Sequence, residues 1–184
     1  MVDRSVSACR DQLHLAAVLP VEWTARSADE DAAFIARRLR RNMAALAVDA
    51  AGDERRDRPV DEGAASFDVQ RIDSKLNAIM ELFAILLERD AIAPPRVPLR
   101  FNAHGIEWQA GPAPATGRAI AIRIHLEACA ALPLELAAVT LDPPEPGWAA
   151  ARFEGVRAPL HDAIAKLVFR EHRRQVADSI GGQS

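Results

Sequence analysis

Residues 120–126 read Ile-Ala-Ile-Arg-Ile-His-Leu, in which large apolar side chains occupy every second position. A period of two is that of a strand with one face in a core, so this stretch predicts a β-strand. Further short apolar stretches lie nearby and are separated by Gly- and Pro-rich turns; they are 99–101, 106–108, 134–141 and 148–153. Short strands at this spacing indicate a small barrel or sandwich.

Two further elements are predicted on either side of these strands. Residues 14–25 favour an early short strand, and we place it at a sheet edge because Pro20 has no backbone N–H to donate. A closing helix is predicted to start near Pro159 and to run into the basic residues 170–174. One face of this helix is apolar and consists of Leu160, Ile164, Leu167 and Val168.

An earlier helix is predicted to begin at Ser27, where Ser27-Ala28-Asp29-Glu30 has the pattern of a capping box. It should end near Ala47, before a polar linker over residues 49–63. Its apolar stripe consists of Phe34, Ile35, Leu39, Met43 and Leu46. Four arginines between Arg37 and Arg41 follow an acidic first turn, which is typical of a solvated face that compensates the helix dipole.

Residues 69–87 carry a heptad pattern. Apolar residues alternate at spacings of three and four; they are Val69, Ile72, Leu76, Ile79, Phe83 and Leu86. Ile at d behind Leu at a favours trimers or tetramers over dimers. The second half of this helix is apolar almost all round, so one side can contact partner subunits and the other its own domain. An ordinary core helix of a monomer is the alternative interpretation.

Length and composition narrow the class of protein. The chain has 184 residues, 49% of them hydrophobic and 27% charged, which suits one globular domain with or without an oligomerisation arm. A net charge of −3 argues against general affinity for nucleic acid, and only the Arg37–Arg41 cluster supports an oligomeric nucleic-acid-binding protein. With two cysteines, no signal-peptide pattern and no long apolar run, we expect a cytoplasmic protein without a membrane partner.

The sequence offers little for catalysis or metal binding. Its five histidines lack ligand spacing with cysteines or carboxylates, and Cys9 and Cys129 lie far apart in the chain. Neither a nucleophile-elbow motif nor a phosphate-binding P-loop motif is present. We therefore predict no enzyme activity, no catalytic residue, no metal and no resident cofactor.

The C-terminal half resembles a PilZ domain. The resemblance rests on an ordered series: the turn at 102–106, the long strand at 118–126, the Pro-rich turn at 142–147, Trp-x₃-Arg-Phe at 148–153, and a basic closing helix. The stretch 71–76 is similar to the start of the long helix in the atypical PilZ group, whose helices form a four-helix coiled coil ahead of the barrel. This resemblance implies an α+β fold, a small β-barrel with a C-terminal helix, and a homo-tetramer.

These patterns predict that the chain is divided into three parts. Residues 1–65 hold the first strand, the capped helix and the polar linker. Residues 66–92 form the heptad helix for oligomerisation, and residues 93–184 form the PilZ-like barrel with its closing helix.

PilZ domains bind, or descend from binders of, cyclic di-GMP, and their usual site has two parts. An Arg-x₃-Arg pair precedes the barrel, and Asp/Asn-x-Ser-x₂-Gly forms its first turn; the arginines fork onto phosphates and guanine edges. The chain has three Arg-x₃-Arg pairs, at 37/41, 96/100 and 170/174. Arg96 and Arg100 are the better placed pair, whereas Arg37 and Arg41 lie too far ahead unless the fold brings them back. Alignment at Gly105 puts Arg100 at the Asp/Asn position and Asn102 at the Ser position. These two departures argue against binding of cyclic di-GMP through this site.

The sequence therefore predicts a non-enzymatic PilZ-type regulatory or adaptor protein of bacterial cyclic di-GMP signalling. It would present barrel surfaces to a protein partner that the sequence does not identify, with cyclic di-GMP as the candidate ligand. The alternative is an oligomeric interaction scaffold that shares the fold and has lost nucleotide binding.

Overall fold

The computed structural model describes Cys9, residues 12–26, 32–56, Leu76, 94–127 and 132–181. In this part of the chain, six antiparallel strands form a closed barrel in the order β1-β2-β3-β6-β5-β4. The strands are β1 (Leu15–Ala25), β2 (Arg96–Phe101), β3 (Gly105–Gln109), β4 (Ala119–Ile124), β5 (Leu134–Leu141) and β6 (Trp148–Phe153). Two helices accompany them, α1 (Ala32–Arg56) and α2 (Leu160–Gly181). The predicted α+β fold with a small barrel is confirmed.

β1 joins the two ends of the sheet. Its residues 15–20 pair with β2, and its residues 21–25 pair with β4. Pro20 lies where the strand passes from one neighbour to the other, and its carbonyl accepts the N–H of His125 at 3.1 Å. The prediction that Pro20 marks a sheet edge was wrong, because the barrel is closed at β1. A proline fits at this changeover, since its missing N–H interrupts the interior of neither ladder.

Alternate side chains of each strand fill the barrel, as the period of two predicted. The inward residues include Leu99, Phe101, Ile106, Ile120, Ile122, Ile124, Leu134, Leu136 and Phe153, all buried. The apolar face predicted for the closing helix packs against them, and Leu160, Ile164, Leu167 and Val168 are all part of this core. The barrel and α2 therefore share one hydrophobic core.

α1 contacts the barrel through a narrower face than its apolar stripe predicted. Ala45 and Leu46 are buried, whereas Ile35 and Leu39 are exposed. Between them Asn42 is buried, and its side-chain amide binds the backbone of Glu135 on β5 twice: Nδ2 donates to the carbonyl at 2.7 Å, and Oδ1 accepts the N–H at 2.9 Å. On one side Glu135 pairs with β4, but on the other side β6 pairs only with the later part of β5. Asn42 therefore satisfies backbone groups of Glu135 on the side where no strand lies beside it.

α1 also extends further than predicted. It continues past Ala47 to Arg56, so the first half of the expected linker at 49–63 is helical. Asp49 forms an ion pair with Arg170 of α2, and both side chains are largely buried. Packing of α1 on α2 thus outweighs the polar local sequence, which by itself indicated a loop.

α2 begins where the sequence placed it and ends later. The carbonyls of Arg157 and Pro159 accept the N–H groups of His161 and Ala163, each at 3.0 Å, so the first helical hydrogen bonds span Pro159. The helix then runs past the basic residues 170–174 to Gly181. In the described part of the chain, neither helix combines the length and apolar character needed to cross a bilayer.

Several predicted features lie outside the described residues. They are the capping box at 27–30, Cys129, and the heptad residues Val69, Ile72, Ile79, Phe83 and Leu86. Leu76 is described: it is helical, and 49% of its surface is exposed in the single chain. The heptad assignment therefore stays a prediction.

Candidate functional site

The turn between β2 and β3 is built around Asn102. Its backbone N–H donates to the carbonyl of Gly105 at 3.0 Å. Its side-chain Oδ1 accepts the N–H groups of His104 at 2.8 Å and of Gly105 at 3.1 Å. An Asn side chain that binds the backbone two and three residues ahead stabilises a tight turn. The carboxamide oxygen of Asn102 is therefore engaged within the turn.

Arg100 lies on the outer face of β2 and is surrounded by partners from the same chain. It stands directly opposite Glu107 of β3, with Nη1 3.7 Å from Oε2. Its Nη2 lies 3.7 Å from Oε1 of Glu145, in the loop before β6. Its guanidinium carbon sits 4.8 Å from the centre of a Trp148 ring, within cation–π range. Arg100 is thus held between two carboxylates and an indole.

Cys9 lies over this outer face. The N–H of Cys9 donates to Oε1 of Glu107 at 3.3 Å. Its Sγ lies 3.5 Å from the carbonyl oxygen of Arg100 and 3.8 Å from that of Gly105. Cys9 is 1% exposed, and Glu107 is fully buried although it points away from the barrel interior. The β2–β3 surface is therefore covered.

Burial changes the chemistry of Cys9. It raises the pKa of the thiol from the ordinary 9.0 to about 12, and the negative charge of Glu107 adds to the effect. Arg100 and the hydrogen bond to Glu107 act in the opposite direction but do not cancel it. Because the thiolate is the nucleophile, Cys9 is a packing residue rather than a reactive one.

We expect iodoacetamide to modify Cys9 very slowly in the folded protein. In a Cys129→Ser variant, which retains Cys9 as its one thiol, a pKa of about 12 leaves roughly a thousandth of the ordinary thiolate at pH 8. The rate should keep rising well beyond pH 9, and the same variant in 6 M urea should react like free cysteine. Reaction of the folded variant at the free-cysteine rate would contradict the buried position of Cys9.

Arg96 does not meet Arg100 at a common site. The two residues are four positions apart on one extended strand, which separates them by roughly 13 Å. Nη2 of Arg96 donates to the carbonyl of Val18 at 2.9 Å and to Oε1 of Glu127 at 2.6 Å. Of the four residues predicted for the nucleotide site, the structure thus brings together Arg100, Asn102 and Gly105 along one hairpin and leaves Arg96 at its far end.

A second network of charges lies on the outer face of β4. Arg123 donates from Nε to Oε2 of Glu135 at 2.9 Å and from Nη1 to Oε1 of Glu22 at 3.2 Å. The hydrogen bond to Glu135, joined by that to Glu22, raises the pKa of Arg123. These three residues face one another across β1, β4 and β5, so the network ties three strands together.

Sequence reasoning missed the partners of Arg100. A signal for Glu107 was present, because a hairpin centred on residues 102–105 pairs position 100 with position 107. Glu145 and Cys9 had no local signal, since they reach Arg100 and Glu107 only through the fold. Among the described residues, no group of three or more histidine, cysteine or acidic side chains could hold a metal ion.

Comparisons with known proteins place these observations in a family. A family model for the atypical PilZ domain, described as a cyclic di-GMP receptor, matches residues 41–180. The fold is similar to the crystal structure of a protein from Xanthomonas campestris, described as a new tetrameric PilZ domain self-assembled via an unusual helical bundle. The two chains share 22% identity over 91% of each, with a TM-score of 0.72. No curated protein matches the chain.

Proposed function

The chain belongs to the atypical PilZ domain family, and from this we propose that it is a non-enzymatic regulatory or adaptor protein of cyclic di-GMP signalling that works as a homo-tetramer. It acts by presenting the outer faces of several barrels to a protein partner. Four copies of one surface raise the effective concentration of each contact, so an individually weak contact gives strong binding.

One observation carries the part of the proposal that concerns the ligand: Arg100 and Asn102 are engaged within the chain. Asn102 supports its own turn, and Arg100 contacts Glu107, Glu145 and Trp148. A ligand at this position would have to displace Cys9 and break these contacts. We therefore infer that the usual site of the family is closed in this chain.

The ion pairs of the hairpin surface support the same inference. The guanidinium of Arg100 faces the carboxylates of Glu107 and Glu145. The two phosphodiester groups of cyclic di-GMP would have to compete with these carboxylates for Arg100, which opposes binding at this position.

The proposed tetramer rests on the heptad spacing and on the similarity to a structure described as a tetrameric PilZ domain. Leu76, at an a position of the heptads, is helical and half exposed in the single chain. A large apolar side chain in that position gains free energy when a second helix covers it.

An interaction scaffold without any nucleotide ligand is the second candidate function. The closed state of the hairpin favours it, because the structure engages both residues that occupy ligand positions. The two functions share the fold and the oligomer, and binding of cyclic di-GMP by the intact protein distinguishes them.

Isothermal titration of cyclic di-GMP tests the proposal. We compare the wild type with the double variant Arg100→Met/Glu107→Gln, which removes the guanidinium of the usual site and leaves no buried charge behind. The expected result is that the dissociation constants of the two proteins agree within about twofold, because the hairpin is not the binding site. Light scattering on the same samples should give about 80 kDa, four times the chain mass of 20.0 kDa.

Each outcome of the titration has a clear meaning. A tenfold or larger loss of affinity in the double variant would show that the hairpin does bind the nucleotide and would contradict the proposal. Binding by the wild type with no change in the variant supports a regulator. No binding by either protein supports the scaffold, and a scattering mass of a single chain would contradict the tetramer. Thermal melts confirm that both proteins are folded at the titration temperature.

A further inference from the structure

A groove of about 630 Å³ lies between the first half of α1, the start of β5 and the loop from β6 to α2. Asn42 fixes α1 to β5 at one point. The preceding turns of the helix, with Ile35 and Leu39, do not close onto the barrel and form one wall of the groove. We call this space the α1 groove.

Three arginines from separate elements converge on the α1 groove: Arg26 follows β1, Arg38 is on α1 and Arg157 is in the loop before α2. Two carboxylates also line it. Glu154 is paired with Arg26 at 3.0 Å, and Glu135 is paired with Arg123 at 2.9 Å.

The guanidinium groups of the α1 groove outnumber its carboxylates. Arg157 is exposed, and within the described residues no carboxylate lies at ion-pair distance from it. Among the described lining residues the net charge is therefore positive.

The remaining lining suits a ligand with flat rings. Leu136, Val156 and Leu160 form the large apolar part of the lining from β5 and the β6–α2 loop, which we call the apolar floor. Ligand sites typically enclose about 300–1,000 Å³ with apolar walls and a few convergent polar groups. Guanidinium groups bind phosphate oxygens with two parallel hydrogen bonds, accept a base edge in the same way, and stack on ring faces.

We propose that the α1 groove is a displaced binding site for cyclic di-GMP, in which Arg38 and Arg157 contact the phosphodiesters and the apolar floor carries a guanine. This inference rests on the proposed role in cyclic di-GMP signalling and adds to it the place where the nucleotide binds. It also explains how a chain with a closed hairpin could respond to the nucleotide.

Titration of cyclic di-GMP into the intact protein and five single variants tests the proposal. Arg38→Ala and Arg157→Ala should each weaken binding at least about tenfold, the usual effect of losing a charge-assisted hydrogen bond. Arg118→Ala is the matched control, because it removes an exposed arginine outside the groove and should change affinity less than about twofold. Glu154→Gln should tighten binding, since it removes a groove carboxylate and releases Arg26.

The Glu154→Gln variant distinguishes a role in ligand binding from a role in supporting the fold. A residue that only supports the fold would weaken binding when it is changed, whereas Glu154→Gln is expected to strengthen it. Glu127→Gln, at an exposed carboxylate that pairs with Arg96 elsewhere, is its control and should have no effect.

Three results would overturn the proposal. They are unchanged binding in Arg38→Ala and Arg157→Ala, loss of binding only in Arg100→Met/Glu107→Gln, and no heat from the wild-type protein at millimolar nucleotide. In the last case the proposed tetrameric adaptor is still tested independently, because light scattering measures its oligomeric mass without nucleotide.

Discussion

Replacing Arg100 with Ala should lower the free energy of unfolding by about 2–3 kcal/mol. The substitution leaves the carboxylate of Glu107 fully buried without the guanidinium that faces it. Removing one partner of a buried ion pair costs roughly 3–5 kcal/mol, and the figure is lower here because Arg100 itself is 36% exposed and the contact is 3.7 Å long. The lost stacking on Trp148 acts in the same direction.

Urea unfolding at one fixed chain concentration measures this loss, since the stability of an oligomer depends on concentration. The double variant Arg100→Met/Glu107→Gln should recover most of it, because the buried side chain at position 107 is then neutral as well. Arg96→Ala is the matched control: its ion pair with Glu127 is exposed on both sides, and such pairs contribute about 0.5 kcal/mol or less. A loss no larger for Arg100→Ala than for Arg96→Ala would contradict a structural role for Arg100.

Replacing Ile79 with Asp should reduce the assembly from about four chains to one. Ile79 is a predicted d residue, so in a tetramer four carboxylates would meet in one apolar layer. An unpaired buried charge is destabilising by several kcal/mol, and here the effect repeats in every chain. Light scattering should show the mass falling to about 20.0 kDa, or the protein should become insoluble as its apolar helix face is exposed.

Ser74→Asp provides the matched control for this substitution. It introduces the same charge five residues earlier, at the outermost position (f) of the preceding heptad, where the side chain faces solvent in a coiled coil. We expect its mass to equal that of the wild type. A soluble Ile79→Asp protein with unchanged mass would contradict the heptad assignment, because the oligomer would then use another surface.

The barrel was predictable because its strands have an unambiguous period. Inward side chains at 120, 122 and 124 are branched and apolar, and Gly- and Pro-rich turns separate the strands. The same reasoning failed at Pro20, where local chemistry indicates an edge but strand closure decides the outcome. It also failed for the end of α1, because the ion pair between Asp49 and Arg170 joins residues far apart in sequence.

In the candidate site too, the local features could be predicted from the sequence and the long-range contacts could not. Asn102 and Gly105 are hydrogen-bonded to each other within a segment of four residues, so the turn that they form could be predicted from the sequence. Only part of the environment of Arg100 could be predicted from the sequence. The hairpin register places Glu107 opposite Arg100, whereas Cys9 is distant in sequence and reaches Glu107 only through the fold. The α1 groove had no sequence signal, because its three arginines come from three elements whose meeting depends on the whole fold.

The shared pairing of β1 has a consequence for how the chain folds during synthesis. β2 and β3 are joined by a short turn and can pair at once, but Pro20 must find Arg96, and Val21 must find Ile124. Closing a loop of this length costs roughly 2 kcal/mol more conformational entropy than closing a hairpin. High contact order of this kind slows folding, and we expect residues 21–25 of β1 to stay unpaired during synthesis until β4 has left the ribosome.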